Sequence, residues 1–348
     1  MSLSILAGEE LRMKAILTAM GVMVIGCVML GTAAETPKAK DKELAITWWG
    51  CMSTEVNIGD VNVVFDPYVK PDEPRFDYVT CSHDHYDHCH EETQRKLAAP
   101  QGRLKMLLAA RGCFYASRID GPNNWGDTVL SDLAFVPRDK CMALYPKYRR
   151  ADDPEFPGPT EVVVGRLRFE GFHSDEDPQP GAMYRDKGYA ELAGPWPNMG
   201  YLVTDTVTGR SFAHTGDIWK AYPEMQKMRG KVDVLFYPLG KLAMEEKVKM
   251  MDYIRPKIAV PTHYRILEPD FPIPVGYDTK ITEKELYADP ALLRKACLGH
   301  WYPTPEDPPA EIAAQREALK AYTRVVELKA GVRYVLPEKL DEFKGRER

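Results

Sequence analysis

The chain lacks most of the short signatures that announce an enzyme's chemistry. None of its seven cysteines forms a Cys-x-x-Cys pair, so a four-cysteine zinc site of the usual spacing has no support. There is no Gly-x-Ser-x-Gly turn and no glycine-rich phosphate loop, which removes the covalent serine and nucleotide-kinase chemistries. Excess positive charge is missing as well. Lys and Arg number 46 against 51 Asp and Glu, and a net charge of −5 gives no electrostatic case for a nucleic-acid partner. The basic run Pro146–Arg150 passes straight into Ala-Asp-Asp-Pro-Glu and reads as a solvated loop. Internal repeats and low-complexity segments are absent. Histidine is scarce, eight in 348 residues, and that scarcity makes its distribution informative.

What is present divides the chain in two. Residues 15–34 form an apolar run without a charged residue; it follows Lys14 and ends in Thr32, Ala33 and Ala34, the layout of a secretory signal peptide. The same run is just long enough for a membrane anchor, and Val24–Cys27 resembles a lipoprotein cleavage site. The expectation is export to a periplasmic or extracellular location, with residues 1–34 as signal peptide or anchor and 35–43 as a polar linker. From residue 44 to 348 one α/β domain is expected. Short β-branched and aromatic runs over 44–50, 61–69, 76–82, 164–172, 199–205, 210–216, 232–238 and 257–263 read as strands. Helical spacing occupies 91–100, 243–254 and 309–329. Residues 131–160, with five prolines and no clean period, look like an insertion.

The histidines concentrate in CSHDHYDHCH, Cys81 to His90, directly after a predicted strand. His83 and His85 are two apart, so a tight turn can aim both imidazoles at one point, and Asp87 and His88 can turn towards a second. Neutral imidazole with carboxylate suits zinc, and also manganese or iron. Two ligand groups offset along one loop point to two metals. Four residues cannot complete two coordination spheres, and further ligands stand where strands are predicted to end: His173, Asp217 and His263. Asp217 could alternatively cap a helix over the residues that follow it. His214, one residue before Thr215-Gly216-Asp217, is either support for a ligand or a core histidine. His90 and His300 have no expected role in the site, and Cys81 and Cys89 read as small packing residues rather than a local disulfide.

The combination HxHxDH, a distant His, TGD and PTHY resembles the metallo-β-lactamase superfamily, over about residues 44–338. The wording SHDHYDH and AHTGD is most similar to the branch holding ascorbate-6-phosphate lactonase and the N-acyl-phosphatidylethanolamine phospholipase D enzymes. The resemblance implies a four-layer αββα sandwich. It implies a first metal on His83, His85 and His173, a second on Asp87, His88 and His263, and Asp217 bridging both, zinc being favoured. It also implies hydrolysis of an ester-like bond, a phosphodiester or a lactone in a small-molecule or lipid-like substrate, with Asp87 handling the proton. Alternatives are a single-iron oxygenase of the same fold, or a non-catalytic metal-binding protein. Where that branch has Gly-His-Ser-Ser or Gly-His-Ala-Ser, this chain has Gly-Cys-Met-Ser, with Cys51 in the histidine's place.

Overall fold

The chain parts between Ala39 and Lys40, and every residue described in the computed structural model falls in the second unit. Described are residues 43–345 apart from 69–70, 72, 84–87, 90, 115–135, 157, 175–197, 241, 267–300 and 303–306. His85, Asp87, His90, His300 and the apolar run 15–34 therefore lie outside the described residues. Among those described, no helix is long and apolar enough to cross a membrane.

Near-continuous apolar runs, rather than alternating ones, belong to strands covered on both faces. β1 (Leu44–Gly50) and β3 (Val61–Phe65) are of this kind, and both pair antiparallel with β2 (Ser53–Ile58), which is largely polar yet buried throughout. β4 (Tyr78–Cys81), β5 (Met106–Ala109) and β6 (Cys141–Ala143) continue the sheet in parallel from β3. A second sheet holds β7 (Pro146–Tyr148), β8 (Glu161–Val164), β9 (Leu167–Ser174), β10 (Asn198–Asp205), β11 (Ser211–His214), β12 (Val234–Pro238) and β13 (Ile258–Thr262). β14 (Arg265–Ile266) and β15 (Trp301–Tyr302) pair apart from both sheets. β16 (Arg324–Val325) extends the second sheet beyond β13, and β17 (Arg333–Val335) closes the first beside β1. The sheets face each other: Tyr78 of the first meets Phe169 of the second with ring centroids 5.3 Å apart, and Phe65 meets Phe236 at 6.3 Å.

Helices lie on the outer faces. Gln94 of α1 (Glu91–Leu97) donates to the Cys81 thiol at 3.3 Å. α2 (Met244–Ile254) and α3 (Asp307–Leu319) cover the second sheet, where the buried Tyr237 hydroxyl donates to Gln315. This is the expected α/β metallo-β-lactamase-type sandwich. Two sequence readings are corrected. The helix expected over 309–329 stops at Leu319, and β-branched Thr323, Val325 and Val326 carry the chain into β16 instead. Pro146–Arg150 is not a solvated loop: Pro146–Tyr148 is a strand beside β9, with Tyr148 only 4% exposed, and Asp153 after it turns inwards while Asp152 and Glu155 stay exposed.

From the turn between β8 and β9, Arg166 donates from Nε and Nη2 to the buried Asp205 carboxylate at the end of β10, both at 2.7 Å, while the amides of Val207 and Thr208 also donate to it. Burial pushes the Asp205 pKa up, but these bonds outweigh it and hold it below 3.8. A lowered carboxylate pKa adds stability that is complete above the ordinary value and is lost as pH falls through the lowered one. Asp205→Ala is expected to remove about 3–5 kcal/mol, since it strands a half-buried guanidinium. Urea melts at neutral pH check this, and the deficit should narrow in acid. A loss below 1 kcal/mol would mean that the turn holds without the pair.

Candidate metal centre

The parallel strands deliver their C-terminal ends to one edge, where open α/β sheets place their ligands. His83 leaves β4, Asp217 follows β11, and His263 follows β13. The three imidazoles of His83, His88 and His263 converge on the Asp217 carboxylate. Their Nε2 atoms lie 3.8 and 3.3 Å from Oδ2 and 3.2 Å from Oδ1 respectively. His83 and His88 have ring centroids 4.0 Å apart, and His88 stacks on His263 at 5.5 Å. All four residues are buried, at most 5% exposed. Asp217 caps no helix: the chain runs irregularly to a 3-10 turn beginning at Pro223, so the capping alternative falls.

Proton positions follow from the partners. Asp66 accepts the Ser82 amide at 2.7 Å, the Ser82 hydroxyl at 2.6 Å and His88 Nδ1 at 2.7 Å. A carboxylate only accepts, so His88 carries its proton on Nδ1. The Ser82 hydroxyl, having given its proton to Asp66, accepts from His83 Nδ1 at 2.9 Å. One carboxylate thus sets the tautomer of both histidines, directly and through a serine, and each keeps a lone pair on Nε2. Burial pushes the Asp66 pKa up; His214 and His88 more than reverse this and hold it ionised. His173 is fixed in the same way, Nδ1 lying 2.6 Å from the carboxylate of Asp153. Imidazole lone pairs facing a buried carboxylate repel it unless a cation lies between them. The donor set therefore fits divalent metal, His83, His88 and His173 each being oriented through the other nitrogen in the manner typical of metal ligands.

Backbone strain shapes the same edge. His263 has φ +56° and Cys51 φ +49°, both in the left-handed region, and the His263 amide donates to the Cys51 carbonyl at 2.8 Å. Cys51 is buried and its carbonyl also accepts from Trp48 Nε1 at 2.8 Å, so the residue in the expected histidine's place ties the β1–β2 turn to His263. Gly216 has φ +59°, and a Cβ there would stand 2.6 Å from that of Ser82. His214 is hydrogen-bonded through both ring nitrogens. Its Nε2 donates to the Met52 carbonyl at 2.9 Å, and Nδ1 accepts the Gly216 amide at 3.2 Å, which pins the turn that presents Asp217. Burial lowers its pKa and keeps it neutral.

His173 joins through its neighbours. The Ser174 hydroxyl donates to the Asp217 carbonyl at 2.9 Å, and the Tyr222 hydroxyl donates to the His173 carbonyl at 2.6 Å. His83, His88, His173, Asp217 and His263 are thus placed at one edge, while His85 and Asp87 lie outside the described residues. Asp66 and Asp153 were missed by the sequence reading. The only hint of the first was its position in Phe-Asp-Pro at the end of a strand, and the second was hidden in the supposed solvated loop.

Two facing mixed sheets with a buried histidine–carboxylate cluster at their C-terminal edge define a metallo-β-lactamase-type protein. The sequence profile described as "Beta-lactamase superfamily domain" matches residues 45–263, and the chain belongs to that superfamily. A UPF0173 protein of Pyrococcus abyssi is 24% identical over 227 residues, 64% of this chain and 83% of the relative. A protein of Anaeromyxobacter sp. named UPF0173 metal-dependent hydrolase is 23% identical over 250 residues, 66% of this chain and 77% of its own. The crystal structure of CmlA, a diiron beta-hydroxylase from Streptomyces venezuelae, aligns with a TM-score of 0.50 and 14% identity, over 86% of this chain and 54% of that one. That likeness speaks to the fold alone.

Proposed function

We propose that this chain is a metal-dependent hydrolase that cleaves an ester-like bond, a phosphodiester or a lactone, in a small or lipid-like substrate. The observation that carries the reading is the convergence of three imidazoles, two of them proton-oriented through Asp66 and Ser82, on the buried Asp217 carboxylate. His83, His85 and His173 would hold one divalent ion, and Asp87, His88 and His263 a second, with Asp217 shared. Bound ions of this kind bring a coordinated water to hydroxide near neutral pH and polarise the oxygen of the scissile bond. The chain's part is to fix the ligands through Asp66, Ser82 and Asp153, to exclude water by burial, and to move a proton at Asp87 towards the leaving group. The likeness of SHDHYDH and AHTGD to the lactonase and phospholipase D branch supports the substrate class, and the apolar run 15–34 supports work outside the cytoplasm. Metal analysis tests the reading. About two zinc or manganese per chain, falling towards one in His83→Ala and in His263→Ala, together with chelator-sensitive turnover of phosphodiesters or lactones, is expected. Iron lost with His83→Ala and kept with His263→Ala would overturn it in favour of oxygen chemistry.

Trp219 supports an apolar group on the substrate. It is 51% exposed, two residues beyond Asp217, on a segment pinned at both ends by the bonds to Asp217 and Tyr222 and by the Ala221 amide to Glu246 at 2.9 Å. An exposed indole on a pinned segment two residues from Asp217 offers apolar contact area. Trp219→Ala is expected to raise KM about tenfold for esters with a long acyl or aryl group, with kcat nearly unchanged and Trp219→Phe close to wild type. Equal KM for large and small esters in both forms would remove Trp219 from substrate binding.

A further inference from the structure

Behind the histidine loop lies a second cluster that the hydrolytic reading does not use. Cys81, Cys89 and Cys113 are each fully buried, and half-buried Cys141 lies nearby on the next strand but one. They come from four separate segments: the end of β4, the residue after His88, a 3-10 turn over Arg111–Phe114, and the start of β6. The β-ladder explains the meeting. Cys81 pairs with Ala109 of β5, Ala110 donates its amide to the Cys81 carbonyl at 2.9 Å, and Cys113 donates to the Ala110 carbonyl at 3.1 Å. Cys89, folding back from the metal loop, comes within hydrogen-bonding reach of the thiols of both Cys113 and Cys81. All of these are thiols in the structure.

A dithiol in such contact has one chemistry that packing alone does not provide. We propose that Cys89 and Cys113 form a reversible dithiol–disulfide pair that ties the metal-binding loop to the end of β5. Cys113 is the partner rather than Cys81 for a mechanical reason. Cys81 is paired with Ala109 in the ladder, its thiol accepts from Gln94 at 3.3 Å, and its carbonyl accepts from Tyr201 at 2.9 Å. Cys113 stands on a single short turn, which can shift to bring two sulfurs to bonding distance. The oxidant is a small-molecule disulfide such as oxidised glutathione. Cys113 as thiolate attacks one of its sulfurs and releases one glutathione thiolate; Cys89 then attacks the mixed disulfide and releases the second. Two protein thiols lose two electrons and two protons, and one glutathione disulfide becomes two glutathione thiols. Both thiols are fully buried, so exchange waits on local opening and is slow in the folded protein, and the cross-link is a state rather than a rapid turnover step.

The consequence falls on the metal loop. Cys89 is bonded to His88, so a link to Cys113 restrains the segment that must open for metal to leave. This is independent of which bond the enzyme cleaves. The experiment treats metal-loaded, full-length protein with oxidised glutathione under native conditions, quenches it in acid, blocks free thiols, and maps peptides by mass spectrometry. Expected is a Cys89–Cys113 peptide pair that dithiothreitol reverses, together with severalfold slower loss of metal to a chelator. Cys113→Ser is expected to abolish both changes while leaving hydrolysis by the reduced protein within about twofold of wild type, as for a change that spares the ligands. Free Cys89 and Cys113 after prolonged oxidation would overturn the proposal. So would a Cys81–Cys89 pair, an adduct confined to Cys141, or a cross-link that leaves metal release unchanged. Because the link is read on wild-type protein, a Cys113→Ser variant that failed to fold would not spare the proposal from any of these outcomes.

Discussion

Asp217→Ala is expected to lower kcat by about 10³-fold and to leave the protein unable to retain its full metal content. Among the described residues, the carboxylate is the group that lies within 3.8 Å of three histidine nitrogens, drawn from the ends of two strands and the loop between β4 and α1. Removing it takes away the donor that all three face. Asp217→Asn separates charge from shape. Its amide N–H can donate to a histidine lone pair that a carboxylate repels, so the metal-free variant should melt no lower than metal-free wild type. What it loses is the response to metal. Wild type gains stability as RT ln(1 + [M]/Kd), and the variant's Tm should stay nearly flat across the same titration. Calorimetry with and without added zinc makes the comparison. A variant that kept half of its activity and the full Tm rise would show that the metal is held without Asp217.

The chemistry of the site was more legible in the sequence than its support. HxHxDH, TGD and PTHY are local strings, each read within a few residues, and each sits at the end of a strand whose apolar run was itself plain: residues 44–50 were drawn as a strand and are one. The residues that orient the ligands are joined across long separations. Asp66 reaches His88 over 22 positions, and Asp153 reaches His173 over 20. In one dimension an aspartate before a proline looks like a turn, and one beside Arg149 and Arg150 looks like surface charge. Burial is what distinguishes them, and burial belongs to the tertiary structure. The same reason accounts for Pro146–Tyr148. Its charge suggested solvent, yet the strand is short and Lys147 alone points outwards, where it pairs with Glu161 and Glu170. Exposed helix spacing also misled at residues 320–329, because tertiary pairing with β13 outweighs weak helical periodicity in a β-branched stretch.

Asp66→Asn should lower metal affinity and hydrolytic activity by about 10- to 100-fold although Asp66 is not itself placed as a ligand. The substitution keeps the volume and one acceptor oxygen, which can still take the Ser82 amide now bonded at 2.7 Å. The other position becomes an NH2 group facing the Ser82 hydroxyl and His88 Nδ1, which now lie 2.6 and 2.7 Å from the carboxylate. Two donors cannot share that contact, so His88 must turn its lone pair to Nδ1 and carry its proton on Nε2, the nitrogen 3.3 Å from Asp217. A protonated Nε2 cannot bind metal. The Ser82 hydroxyl, no longer drawn towards a carboxylate, loses the bias that makes it accept from His83, so one substitution disturbs two ligands. The effect is on proton position rather than on packing, and this gives the test its edge. Histidine NMR of metal-free Asp66→Asn should show the tautomer of His88 reversed with the fold intact, and Asp66→Ala, which offers Nδ1 neither donor nor acceptor, should weaken metal binding without imposing the reversed tautomer. Wild-type metal affinity in Asp66→Asn would mean that the His88 ring is oriented by its stacking on His263 and not by this carboxylate.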